Sequence, residues 1–597
     1  MNFKNSKKTV AIALLLALAA TQPLVSAQKR AKSQDLTEEQ RIVHVLNRLG
    51  FGARPGDVER VKAIGLETYI NQQLNPEKIS DTVAENKVRD LNVLNMTTAE
   101  LYEKFPQPGQ LLRQLQQRGM LPDDLAEARE NRVKGGANST PTEMPKNESM
   151  PAQQPPPGNP LENEKYRKLL QDYYRENGLQ QPQRIMAELH ASRILRAVYS
   201  ERQLQEVMVD FWTNHFNVFA GKGADRWLLP SYDRDTIRPN SMSKFSTLLQ
   251  ATAQSPAMLF YLDNFQSVSP NANANRRGGL LQRLRAEQQP QPQRQRRGIN
   301  ENYARELMEL HTLGVDGGYT QKDVQEVARC FTGWTIFQPR GGAAAVNAMA
   351  GEGARRNAGT FFFNQRVHDD GEKTVLGHKI PAGGGIKDGL MVLDILAHHP
   401  STAKFIATKL VRHFVADNPP QSLVDRAAAA FTKTDGDIRE TLKTIFLSKE
   451  FNSTESYRAK IKRPFELVVS AIRTLGAETN GGPQTHQWIA RMGEPLYGFQ
   501  TPNGYSDAAE AWVNTGALLE RMNFGLALAN NRIPGTRVSL SKLNGDQAKV
   551  MDEYLKTLLA GEISSATRET LLKQLDPADP VTKVVGLILG TPEFQRQ

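Results

Sequence analysis

The feature that most constrains this chain is a helical spacing of apolar residues, seen most clearly around the run FWTNHFNVF at residues 211–219. Leu204, Val207, Met208, Phe211, Trp212, Phe216 and Phe219 recur at the 3.6-residue period, with His215 inside the same stripe. Such a pattern buries one helix face and leaves the other polar. Asp210, Asn214 and Asn217 fall off the stripe, and Ser200 followed by Gln203 reads as a capping box opening the helix. The same period returns over residues 161–262, over 299–337, and from about 386 onwards, as in STAKFIATKLVRHFV. Near the start, LTEEQRIVHVLNRLGFGARPGDVERVKAIGLETYINQQL reads as two amphipathic helices broken at Gly50–Pro55.

One stretch carries a β pattern. In FFFNQRVHDDGEKTVLGHKI two β-prone runs flank Asp370-Gly371, a pair suited to a hairpin turn. The expectation is a mainly α protein: a large multi-helix body with one small β-hairpin and long disordered insertions. The insertions are compositional. Residues 128–160 are rich in Pro and Gln, 271–298 in Arg, Gln and Pro, and 340–358 in Gly and Ala. They divide the chain into an N-terminal helical part (28–127), helical cores at 161–270 and 299–339, the hairpin at 359–380 and a C-terminal helical part at 381–597.

Residues 1–27 read as a secretory signal. Lys4, Lys7 and Lys8 precede the apolar run VAIALLLALAA, and Val25-Ser26-Ala27 supplies small residues for cleavage. The apolar run is too short to span a bilayer. The mature chain is therefore expected to be exported, to the periplasm, the outer envelope or the medium. Its single cysteine, Cys330, excludes an intrachain disulfide and any metal site built from several thiolates. The formal charge of +11 does not describe the folded body. The signal carries three lysines and no acid, and residues 271–298 carry seven arginines and one glutamate, which leaves about +2 for the rest. Nucleic acid is not the expected partner, because the arginine-rich insert lacks interleaved aromatics. An anionic polymer could bind through residues 276–297.

Four stretches could carry chemistry. His215 and Asn214 lie in the aromatic run, where a satisfied core histidine is the plainer explanation. NENYARELMELHTLGVDGGYTQKDV places Glu306 and Glu309 one turn apart, with Arg305 an i,i+4 partner of Glu309 and His311 at the edge of the apolar face. Thr320 and Asp323 open the helix that follows. His368-Asp369 enters the hairpin, where the pair either orients an imidazole or caps a turn. His413 sits on an apolar stripe with Ile406, Leu410 and Phe414. The chain has no G-x-S-x-G elbow and no P-loop.

These stretches, in this order, resemble a bacterial family known as domain of unknown function 1800. The matching runs are HVLNRLGFGARP, RAVYSERQLQEVMVDFWTNHFNV, NENYARELMELHTLGVDGGYTQKDVQEVARCFTGW, HDDGEKTVLG, STAKFIATKLVRHFV and PNGYSDAAEAWVNTGALLERMNF. Where the family often shows Pro-Asp-Gly-Tyr-Pro, this chain has Pro502-Asn503-Gly504-Tyr505-Ser506. The resemblance implies an exported or envelope protein, often accompanied by a second secreted protein encoded nearby, and brings no established activity, cofactor or metal. Two readings of function remain open beside the polymer-binding insert. One is an envelope enzyme with a site between helices, built from Asn214, His215, Glu306 and His311, with Trp212 and Glu309 beside them and His368-Asp369 as a lid. The other is a non-catalytic envelope scaffold in which the same groups form a buried packing network.

Overall fold

The computed structural model describes residues 35–120, 160–270, 298–337, 356–540 and 546–597, and these are mainly helical. The signal at 1–27 and most of the three compositional insertions lie outside the described residues, including the arginine-rich 276–297. The hub is the helix Gln183–Tyr199, which touches Thr82–Val88, Gln203–His215, Asp225–Ser231, Pro464–Thr474 and Pro483–Arg491. Its residues are buried nearly all round, from Ile185 and Leu189 to Ser192, Arg193 and Val198, as a helix enclosed by neighbours must be. Pro464–Thr474 is buried at every position. One continuous apolar core runs from Ile42 to Phe594, so the segments on either side of the insertions share it. Among the described residues, no helix is long and apolar enough to cross a membrane.

Local expectations meet tertiary structure with mixed outcomes. The predicted pair of N-terminal helices is three, Glu38–Arg48, Asp57–Ile64 and Leu66–Leu74, because Gly65 at φ 86 breaks the second run. Thr320 and Asp323 do form a capping box. Ser200 and Gln203 do not. The Ser200 hydroxyl donates to Asp81 at 2.9 Å, and Gln203 accepts from the Phe51 amide at 3.1 Å while donating to the Ala197 and Ser200 carbonyls. The free amide of Leu204 is satisfied by Gln73 instead. Long-range partners have outcompeted the local cap.

The β pairing also differs from expectation. The described strands form three two-stranded sheets. Phe361–Phe363 pairs antiparallel with Trp334–Ile336, and Lys373–Val375 pairs with His378–Ile380. The latter hairpin turns at Leu376-Gly377, whose φ values of 48 and 80 suit a type I′ turn. Asp370-Gly371 is a bend rather than the hairpin turn. Arg329 grips Asp369 through two bonds of 3.0 and 3.1 Å, and Asp369 in turn accepts the Gly371 amide.

Candidate functional site

The aromatic helix Gln203–His215 is anchored from below by buried charge. Asp210 takes Arg193 at 2.9 Å on one oxygen and Arg463 on the other, and Arg463 also reaches Glu494 at 2.8 Å. Burial alone would lower the Arg463 guanidinium, but Glu494, Asp210 and Glu466 raise it well above its ordinary value. The helix therefore enters the site with its axial position fixed by paired charges.

At its C-terminal end the off-stripe asparagines clamp the segment 499–505. Asn217 donates to the Phe499 and Thr501 carbonyls at 3.0 and 2.8 Å. Asn214 donates to the Tyr505 carbonyl at 2.9 Å and accepts the Tyr505 amide at 2.7 Å, completing both backbone groups of one residue. Gly504 makes this approach possible. At φ 72, a Cβ there would lie 2.3 Å from the Asn214 carbonyl oxygen.

Above the clamp lies a cleft of about 330 Å³, lined chiefly by Asn214, His215, Lys409, Arg412, Ser506 and Asp507. Lys409 and Arg412 come from the helix Pro400–Phe414. The His215 ring is fixed at both nitrogens. Its Nε2 lies 3.1 Å from the His311 carbonyl oxygen, which can only accept, so Nε2 carries the proton. Nδ1 is then the acceptor for Lys409 Nζ at 2.9 Å. Burial, followed by the charges of Lys409 and His311, holds the His215 imidazole well below its ordinary value. Burial likewise lowers Lys409 from 10.5 to about 8, with Asp507 opposing and Arg412 assisting.

Beside this pair, His413 Nδ1 donates to Asp507 at 3.1 Å. Burial pushes the Asp507 carboxyl up, but His413, Arg463 and Lys460 outweigh it and hold the group well below the usual range. Asp417 is tied to Lys460 and accepts the Ala509 amide at 2.9 Å. A larger hollow of about 710 Å³ lies around Leu36, Val415 and Glu450, where Glu450 is already paired with Arg426.

The sequence candidates separate in space. Asn214 and His215 line the cleft, and His311 lies against His215 with ring centroids 6.2 Å apart. His311 is buried with Nε2 unpartnered, and burial followed by Lys409 lowers it to about 3. Trp212 is buried beneath, donating to the Ser241 carbonyl at 3.0 Å. Glu306 is half-buried and raised by burial and then Glu309, but it does not line the cleft. The expected Arg305–Glu309 pair is absent among the described residues. Arg305 donates to Gln321 at 2.7 Å, and Glu309 accepts from Tyr319 at 2.9 Å.

His368 and Asp369 also lie outside the cleft lining. His368 Nδ1 donates to the Thr332 carbonyl at 2.8 Å and Nε2 faces Asp388 at 3.2 Å, while Lys373 reaches the same carboxylate at 2.5 Å. This buried junction locks the hairpin to the helices Gln321–Cys330 and Ile386–His398. Among the described residues, no group of three or more His, Cys, Asp and Glu is arranged to hold a metal ion.

The residues missed by pattern reading are Lys409, Arg412 and Asp507. A usable signal existed, because Lys409 lies one turn before His413 and Asp507 follows directly on PNGYS. Three of the quoted runs, FWTNHF, TKLVRHF and PNGYSD, thus meet at one cleft. The family model described as protein of unknown function (DUF1800) matches residues 44–596. The chain belongs to this family. No curated protein and no solved structure matches it. The DUF1800 match spans all three runs that build the cleft.

Proposed function

We propose that this DUF1800 protein is an exported enzyme whose active site is the cleft between Gln203–His215, Pro400–Phe414 and the segment 499–508. Export rests on the lysine-led apolar run and the Val25-Ser26-Ala27 cleavage pattern. The observation carrying the enzymatic reading is Lys409 Nζ, 2.9 Å from the proton-accepting Nδ1 of His215 in an open cleft. An amine with its proton affinity reduced by burial exchanges protons near neutral pH and is available as a base or nucleophile. Lys409 is the reacting group in this reading: its ammonium loses its proton to solvent, and His215 Nδ1 accepts the hydrogen bond that orients the free amine. Asp507 stays ionised alongside and holds the His413 ring in place. Asn214 acts as a positioning residue, since its amide is committed to Tyr505.

The scaffold reading draws support from the same clamp, because Asn214 and Asn217 bond backbone groups of 499–505. Lys409→Met separates the two readings. The substitution keeps the volume and relieves a desolvated amine but leaves His215 Nδ1 without its donor, a cost of about 1–2 kcal/mol. The urea midpoint should fall by no more than that, while turnover of small acidic or carbonyl compounds by the mature chain disappears. A loss of about 3 kcal/mol or more in stability, with no turnover by the parent chain, would make the pair a packing contact.

A further inference from the structure

We infer that the cleft receives a small 2-oxo acid, with its carboxylate on Arg412 and its carbonyl carbon attacked by Lys409 to form an imine. This deepens the enzymatic reading and rests on it. Lys409 and Arg412 are three residues apart on one helix, so both project over the same turn into the same space. Arg412 spends only Nε on the protein, donating to the Asp417 carbonyl at 3.2 Å. Among the described residues, neither of its terminal nitrogens has an acceptor, which leaves the planar fork open to a carboxylate. The nearby acids do not neutralise it. Asp417 is held by Lys460 and the Ala509 amide, and Asp507 by His413. The cleft thus offers an unpaired guanidinium next to an amine with a built-in proton acceptor, a pairing that suits an anion carrying an electrophilic carbon.

The step balances without a redox partner. Neutral Nζ adds to the carbonyl carbon, and the carbon–oxygen π bond opens onto oxygen. An N–H proton passes through His215 Nδ1 to that oxygen, giving a carbinolamine. The carbon–oxygen bond then breaks as the carbon–nitrogen double bond forms. Both N–H protons and the carbonyl oxygen leave as one water. His215 suits the relay because its Nε2 proton is engaged by the His311 carbonyl, which keeps Nδ1 open.

The test is reductive trapping on the mature full chain with pyruvate and cyanoborohydride near neutral pH, read by peptide mass spectrometry. Lys409 should gain the mass of pyruvic acid less one oxygen. An amine titrating near 8 has roughly a hundredfold larger neutral fraction than a free lysine at about 10.4, so Lys409 should label well ahead of Lys573, whose side chain is 70% exposed. Acetone, which lacks the carboxylate, should label Lys409 far less, and Arg412→Gln should slow pyruvate labelling by about tenfold or more. Because the adduct is located on the parent chain, the result does not depend on a variant folding. Labelling of Lys409 no faster than Lys573, or equal labelling by acetone and pyruvate, would overturn the imine. If Lys409 still titrated near 8 in that case, the acid–base reading would stand without it. An ordinary titration would remove both.

Discussion

Lys409 cannot keep its solution chemistry where it sits. Its ammonium loses hydration on burial, shares the cleft with Arg412, and meets an imidazole that offers a lone pair rather than a charge. His44 shows what a purely structural histidine looks like in the same fold. Its Nε2 lies 2.9 Å from the Phe451 carbonyl, and burial followed by Arg48 lowers it to about 3, yet its Nδ1 is buried with no partner. His215 differs in having that second nitrogen turned towards a lysine at a cleft. The sequence places the His215 imidazole on an apolar stripe but could not show what it meets, because that partner lies 194 residues away. Lys409 itself reads as an ordinary solvated lysine in TKLVRHF. Asp507 supplies a pH prediction at this scale. Its folded value lies below the unfolded value of about 3.9, so its contribution is present above that value and is lost as pH falls through the folded one. Asp507→Asn should therefore flatten the acid limb of stability below about pH 4, measured as urea midpoints against pH. An unchanged acid limb would remove Asp507 from the account.

Between elements, the decisive contact is the segment 499–508 lying on the end of Gln203–His215. Two asparagines one turn apart fasten it, and Gly504 lets it come close enough to be fastened. Gly504→Ala puts a Cβ into the Asn214 carbonyl at a positive φ, so both strain and collision oppose it. The variant should lose about 1–3 kcal/mol of stability and shift Lys409 upward towards an ordinary lysine, because water reaching the ammonium relieves the burial that lowers it by more than the lost attraction of Asp507. Unfolding midpoints and Lys409 reactivity would check both effects. The period of the helices was legible, including the stripe that carries His215 and the asparagines beside it. Caps and turns were less so. Ser200-x-x-Gln203 and Asp370-Gly371 both have the right local chemistry, but Asp81 and Phe51 engage the first pair, and the Gly371 amide goes to Asp369, which Arg329 holds in place.

On the scale of the whole molecule, one core running from Ile42 to Phe594 holds together helices drawn from every described segment. That continuity explains why the cleft could not be assembled from any single stretch. Its helices and its loop are brought together by Asn214 and Asn217 on the segment 499–505, by Lys409 on His215 and by His413 on Asp507, pairings that only the fold reveals. The family match over 44–596 covers the cleft and all of this core but Ile42. The account turns on the state of one amine within it. Competitive labelling of the chain with acetic anhydride across pH, read peptide by peptide, measures that state directly. Lys409 should titrate at about 8, well below the ordinary free-lysine value of about 10.4. A Lys409 that titrates at the free-lysine value would contradict its role as the reacting amine.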